Sequence, residues 1–229
     1  MKQLPLGIAL PKSATFDSFY ADRNSQFVAA AKACAEQRKP EPVYLHGPTS
    51  CGKTHLLQAA CNRAAAGGKQ PFYLPLSTSE SLTPDILANL ESLDLIALDN
   101  LDAIAGIEAW EQALFGFYNA IIDAGSALLI AARSSPANLE IQLPDLRSRL
   151  SACTIYRLEE LEDSEKIAAL QRQAEQRGMG LNEEVGRYLL SHVRRDMGSL
   201  LNVLDQLDKA SLVAQRRLTI PFIKEVLKP

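Results

Sequence analysis

"VYLHGPTSCGKTHLLQAACNRA" (43–64) is the stretch that decides the fold. Its middle, "GPTSCGKT" (47–54), fills every fixed position of G-x-x-x-x-G-K-[ST], directly after an apolar run and at the start of a helical pattern. Gly47 and Gly52 permit backbone geometries in which consecutive N–H groups point at phosphate oxygens. The helix starting near Lys53 adds the positive end of its dipole. Gly47, Pro48, Thr49, Ser50, Cys51, Gly52, Lys53 and Thr54 are therefore expected to cradle a nucleotide's phosphates. In such a loop the lysine reaches the β- and γ-phosphates and the threonine hydroxyl is offered to Mg²⁺.

Outward from this loop, short apolar runs alternate with helical patterns. "VYLHG" (43–47), "FYLPL" (72–76), "LIALD" (95–99), "LLIAA" (128–132) and "TIYRL" (154–158) read as strands. None shows the polar alternation of a half-exposed sheet, as expected for parallel strands covered on both faces. "KTHLLQAACNRAAAGG" (53–68) and "IEAWEQALFGFYNAIIDAG" (107–125) read as helices stopped by glycine. The alternation predicts an α/β fold, a doubly wound parallel sheet over residues 13–158. Beyond about residue 159 only helical patterns remain, beginning with Asp163 and Ser164 as candidate N-caps. Leu200, Val203, Leu204, Leu207 and Ala210 repeat at spacings of three and four, one apolar stripe suited to packing. Residues 159–229 are thus expected to form a small all-helical domain, and the Pro- and Gly-punctuated residues 1–12 a flexible tail.

Bulk properties narrow the function. The chain has 229 residues, 47% of them hydrophobic, enough for a core that needs no disulfides. Its four cysteines lack C-x-x-C pairing and zinc-site spacing, so reduced, mostly structural thiols are expected, with Cys51 in the loop a candidate for oxidation. A net charge of −3 gives no global footprint for nucleic acid. Apolar runs fall well short of the ~18 residues of a membrane span. Pro5, Gly7 and Pro11 break any leader-like stretch, so a cytoplasmic protein without membrane association is expected.

Asp99 ends its apolar run 46 residues after Lys53 and fits, with Thr54, the pair that holds Mg²⁺. Asn100 follows where a water-activating carboxylate is usual, and an amide takes no proton at ordinary pH. Asp102 remains a fallback carboxylate, expected to face away or cap the next turn. His46 and His55 flank the loop and are expected to pack.

"VYLHGPTSCGKTHLLQAACNRA", "LIALDNLDAIAG" and "PDLRSRL" together resemble the AAA+ domain of the bacterial DnaA family, from about residue 15 to the C-terminus. Within it the likeness is greatest to the Hda group, short relatives known as regulatory inactivators of the initiator. The resemblance implies a P-loop AAA+ sheet followed by a helical lid, with ADP or ATP as ligand. It makes Arg149 the arginine finger that reaches a neighbouring subunit's nucleotide, with Arg147 as runner-up. It makes Arg195 the lid arginine on the phosphates, with Arg194 as fallback. "AARSSP" (131–136) departs from the family, since Arg133 stands where a sensor carboxylate is usual; Ser134 is the polar substitute.

"QLPLGI" (3–8) resembles the group's clamp-binding peptide, although proline and glycine occupy different places. An extended segment can seat Leu4, Leu6 and Ile8 in an apolar groove while Gln3 bonds at its rim. The implied partners are the initiator DnaA and the sliding clamp of DNA polymerase, and a homodimer stays open. The chain ends at Pro229, before the initiator's DNA-binding domain, and its basic pairs are sparse, so sequence-specific DNA binding is not expected. The expected function is negative regulation of replication initiation by stimulating hydrolysis of initiator-bound ATP from a clamp-docked position. Two rivals stand beside it: a self-assembling ATPase or helicase-loader-like motor, and a plain clamp adaptor.

Overall fold

The short apolar runs and helical patterns of the first 158 residues sort into one sheet and its covering helices in the computed structural model, which describes residues 10, 11, 13–21, 23–36 and 40–227. β1 (Val43–His46), β2 (Pro71–Pro75), β3 (Leu95–Asp99), β4 (Ala127–Ala132) and β5 (Thr154–Arg157) pair in parallel in the order β2-β3-β4-β1-β5. Parallel pairing forces each connection to cross a face of the sheet, and helices make those crossings. β4 lies between β1 and β3, so the loop after β1 and the carboxylate ending β3 are separated by one strand. Their C-terminal ends form the crevice in which open α/β sheets bind ligands.

Residue parity along the strands divides the core. Tyr44, Leu74, Ile96, Leu98, Leu128 and Ile130 pack with α3 (Glu108–Ala124) and α4 (Pro144–Ser151) on one face. Val43, Leu45, Tyr73, Leu95, Ala97 and Leu129 pack with α1 (Ser25–Glu36) and α2 (Lys53–Ala66) on the other. β3 and β4 are buried along their whole length, which is why their sequences show no alternation. Cutting a side chain such as Leu98 back to alanine here costs ~2–5 kcal/mol.

Three expectations need correction. β5 does alternate, with Ile155 and Arg157 exposed, because it is an edge strand paired on one side with β1. The cap of the helix expected to start at Asp163 or Ser164 is Glu162, in a reciprocal capping box with Glu165. Cys51 is 7% exposed and burial raises its thiol pKa against the pull of Lys53, so it lacks the exposed thiolate that oxidation needs. α1 and α4 were not legible as helices.

The chain divides into two compact units, Met1–Glu159 and Glu160–Pro229. The second contains α5 (Asp163–Gln176), α6 (Glu183–His192), α7 (Met197–Ala214) and α8 (Ile220–Val226) around their own core. Leu200, Leu204 and Leu207 are fully buried in that core, with Val203 and Ala210 packed at its margin. No helix among the described residues is long and apolar enough to cross a membrane.

A strap ahead of α1 lies on α2. Asn62 donates to the carbonyls of Pro11 (3.0 Å) and Ala14 (2.8 Å). His55 Nε2 lies 2.9 Å from the Thr15 carbonyl and 3.0 Å from Ser18 Oγ, and the Phe19 ring lies tilted against its ring with centroids 5.9 Å apart. The histidine therefore ties the strap to the helix, beyond the packing role expected of it. Burial lowers its pKa from the ordinary 6.5, partly offset by the Thr15 bond; burial, then Arg157 and Lys53, lower that of His46. Below pH 6.5 the unfolded chain takes up protons that these folded histidines resist, so stability present above that pH is lost as the pH falls. Urea unfolding from about pH 7.5 to about pH 5.5 is expected to show this decline, and His55→Gln is expected to make it shallower.

Candidate functional site

The loop between β1 and α2 is built from residues that accept its unusual backbone. Gly52 has φ +100°, and a Cβ there would sit 2.5 Å from the Phe19 ring. At Gly47 a Cβ would sit 2.4 Å from the Leu158 carbonyl oxygen, so glycine is required by space. Gly52 caps α2 without any side-chain bond, so the N–H groups of the first turn face the loop rather than a capping oxygen. Lys53 is 7% exposed, and its Nζ donates to the carbonyls of Gly47 and Pro48, both at 2.7 Å. The ammonium braces the loop it belongs to.

Across β4, the first turn of α2 reaches the end of β3. Thr54 Oγ1 donates to Asp99 Oδ2 at 2.6 Å, and the Tyr73 hydroxyl donates to the same oxygen at 2.9 Å. The Asn100 N–H donates to Asp99 Oδ1 at 2.9 Å. Asp99 is 1% exposed, so these donors replace its hydration. Burial and the neighbouring Asp99 carboxylate push the Tyr73 phenol pKa upward, so it stays a donor. Tyr73 was absent from the sequence reading. Only the folded sheet shows it: odd-numbered residues of β2 and β3 face α2, and the register Pro75↔Asp99 brings Tyr73 alongside. A threonine hydroxyl and a carboxylate meeting at a helix N-terminus are hard oxygen donors of the kind Mg²⁺ takes.

Asn100 adopts a left-handed backbone (φ 59°, ψ 48°), and its carboxamide makes no hydrogen bond among the described residues. Asp102 neither faces away nor caps the next turn. Its Oδ1 accepts the N–H groups of Arg133 (2.7 Å) and Ser134 (3.3 Å), tying β3's exit to β4's. Its buried Oδ2 has no hydrogen bond and lies 3.6 Å from Arg133 Nε. Asp102, in the turn after β3, is thus a strut between the exits of the two strands.

The arginines separate clearly. Arg149 lies on the exposed side of α4, and its guanidinium makes no hydrogen bond or ion pair among the described residues. Arg147, two residues earlier in α4, donates to the Ile141 carbonyl. Within the helical unit, Arg195 pairs with Asp163 at 3.5 Å and Arg194 with Asp196 at 3.3 Å; both are exposed, and such pairs contribute ~0–1 kcal/mol. Gln3, Leu4, Leu6 and Ile8 lie outside the described residues.

Known proteins share this arrangement. The profile of the bacterial DnaA ATPase domain matches residues 10–156, and that of the Hda lid domain matches residues 163–227. Domain III of the Thermotoga maritima replication initiation protein DnaA superposes with a TM-score of 0.80 at 21% identity, over 96% of this chain and 98% of that one. AMPPCP-bound DnaA from Aquifex aeolicus gives 0.69 at 21% identity, over 89% and 67%. The Thermotoga maritima RuvB Holliday junction branch migration motor gives 0.68 at 17% identity, over 93% and 71%. At these identities the superpositions establish the fold, and the matching profiles establish the kinship. The chain belongs to the bacterial DnaA ATPase family of AAA+ proteins, with the lid of its Hda branch, and is a DnaA-related replication regulator.

Proposed function

We propose that this protein holds an adenine nucleotide, ADP or ATP, in its own loop and acts on ATP bound by the initiator DnaA. The phosphates lie against Gly47–Thr54, with Lys53 turned from its loop carbonyls onto them. Thr54 and Asp99 are the residues that would hold Mg²⁺, which supplies charge neutralisation at the phosphates. Arg149 enters the initiator's pocket as an arginine finger, and residues Gln3, Leu4, Leu6 and Ile8 dock on the DNA-loaded sliding clamp. The result is negative regulation, because initiator left with ADP is slow to fire again.

One observation carries this reading: the site's proton-accepting groups are committed while Arg149 is not. Asn100 cannot serve as a general base, and Asp102 accepts two backbone N–H groups on Oδ1 while its buried Oδ2 faces Arg133. A home pocket of that kind retains its nucleotide far better than it splits it. Arg149, by contrast, is exposed and makes no hydrogen bond or ion pair among the described residues, on a helix anchored by the buried Leu146 and Leu150. A planar cation with free donors suits the charge that develops on a transferring phosphoryl group. These features weigh against a motor that depends on its own turnover.

The direct test measures hydrolysis of DnaA-bound ATP with clamp on DNA. Arg149→Ala is expected to reduce stimulation by on the order of 10³-fold while clamp binding survives. Full stimulation by that variant would point instead to a plain adaptor. Deleting residues 3–8 is expected to abolish clamp binding and, with it, stimulation, leaving nucleotide binding intact. Lys53→Ala is expected to weaken nucleotide binding in a direct titration; unchanged affinity would exclude the loop as the site.

A further inference from the structure

One buried carboxylate outside the nucleotide loop remains unexplained. Glu111 lies in the first turn of α3, 1% exposed, where a charged side chain is costly unless donors surround it. They do. Its Oε1 accepts the Gly106 N–H at 2.7 Å and the Gln142 N–H at 3.0 Å. Its Oε2 accepts Gln142 N–H at 2.9 Å and Leu143 N–H at 2.8 Å. Three backbone donors from two loops, more than thirty residues apart in sequence, converge on a single side chain.

Both loops matter to the proposed chemistry. Gly106 ends the segment that leaves Asp99 and Asn100. Gln142 and Leu143 lead straight into Pro144, the first residue of α4, and Leu143 caps that helix without a side-chain bond of its own. Leu146 and Leu150 anchor α4 by apolar contact, which is non-directional and leaves rotation and sliding weakly fixed. Hydrogen bonds to a carboxylate are directional and fix the helix's entry point. Arg147 adds a second tie, through the Ile141 carbonyl. Glu111 is thereby the group that sets where α4 starts, and so where Arg149 is held.

We infer that Glu111 is a positioning residue for the arginine finger, clamping the entry of α4 to the loop that leaves β3. The inference rests on the reading of Arg149 given above. A finger displaced by about 1 Å loses on the order of 10²-fold in rate, so a clamp of this kind has a kinetic consequence without touching any nucleotide.

The experiment uses the full chain and the isosteric Glu111→Gln, which turns one acceptor oxygen into a donor facing the loop N–H groups. Hydrogen exchange read by NMR is expected to be slow at the Gln142 and Leu143 amides in the wild type and at least about tenfold faster in the variant. In the DnaA hydrolysis assay the maximal stimulated rate is expected to fall by about tenfold or more. The concentration giving half-maximal stimulation and the chain's own nucleotide affinity are expected to stay unchanged. In an Arg149→Ala background, Glu111→Gln is expected to cost nothing further. Wild-type maximal rate in Glu111→Gln, alongside loss in Arg149→Ala, would overturn the positioning role alone. Full stimulation by Arg149→Ala would overturn the finger reading and the positioning role with it. If Glu111→Gln fails to fold, Glu111→Asp, which keeps the charge but withdraws it by one methylene, is read by the same measurements.

Discussion

The architecture of the site depends on Asp99. It ends the inner strand β3 almost wholly out of water, and its charge is tolerable only because Thr54, Tyr73 and the Asn100 N–H all donate to it. Hydrogen bonds to a charged group contribute ~1.5–3 kcal/mol each, and a buried carboxylate stripped of them would be strongly destabilising. The consequence is geometric. The three donors come from α2, β2 and the start of the next loop, so one carboxylate fixes the first turn of the phosphate-loop helix against two strands.

A second carboxylate and a third repeat the device at greater distance from the nucleotide loop. Asp102 ties the exit of β3 to that of β4. Glu111 ties the same exit segment to the entry of α4. Each uses side-chain oxygens to satisfy loop N–H groups that no strand or helix pairs, which buried backbone requires. Under the proposed function these struts divide labour. The home pocket is built for holding, with Asn100 unable to take a proton, and the exposed guanidinium of Arg149 stands on a helix set by Glu111.

Much of this could be read from the residues. The loop at 47–54 was legible because its glycines and lysine answer a local steric and electrostatic demand, and β3 because full burial leaves an unbroken apolar run. The stripe from Leu200 to Ala210 was legible for the same reason in helical period. What escaped depended on distant chain segments. Tyr73 and Asp99 meet only through strand register, and Glu111 reads as one more surface charge on an amphipathic helix until residues 142 and 143 arrive beside it. The edge position of β5 is likewise a property of the sheet order, and α4 is too short to announce itself by periodicity. Asp102 was misjudged because its partners lie thirty residues away, at the end of another strand.

The central claim concerns which nucleotide is consumed. DnaA loaded with labelled ATP and this protein loaded with a differently labelled ATP can be mixed on clamp-bearing DNA, and both labels followed over a single turnover. Rapid conversion of the initiator's label with the other persisting is the expected result. Conversion of this protein's own label while the initiator's survives would contradict the account.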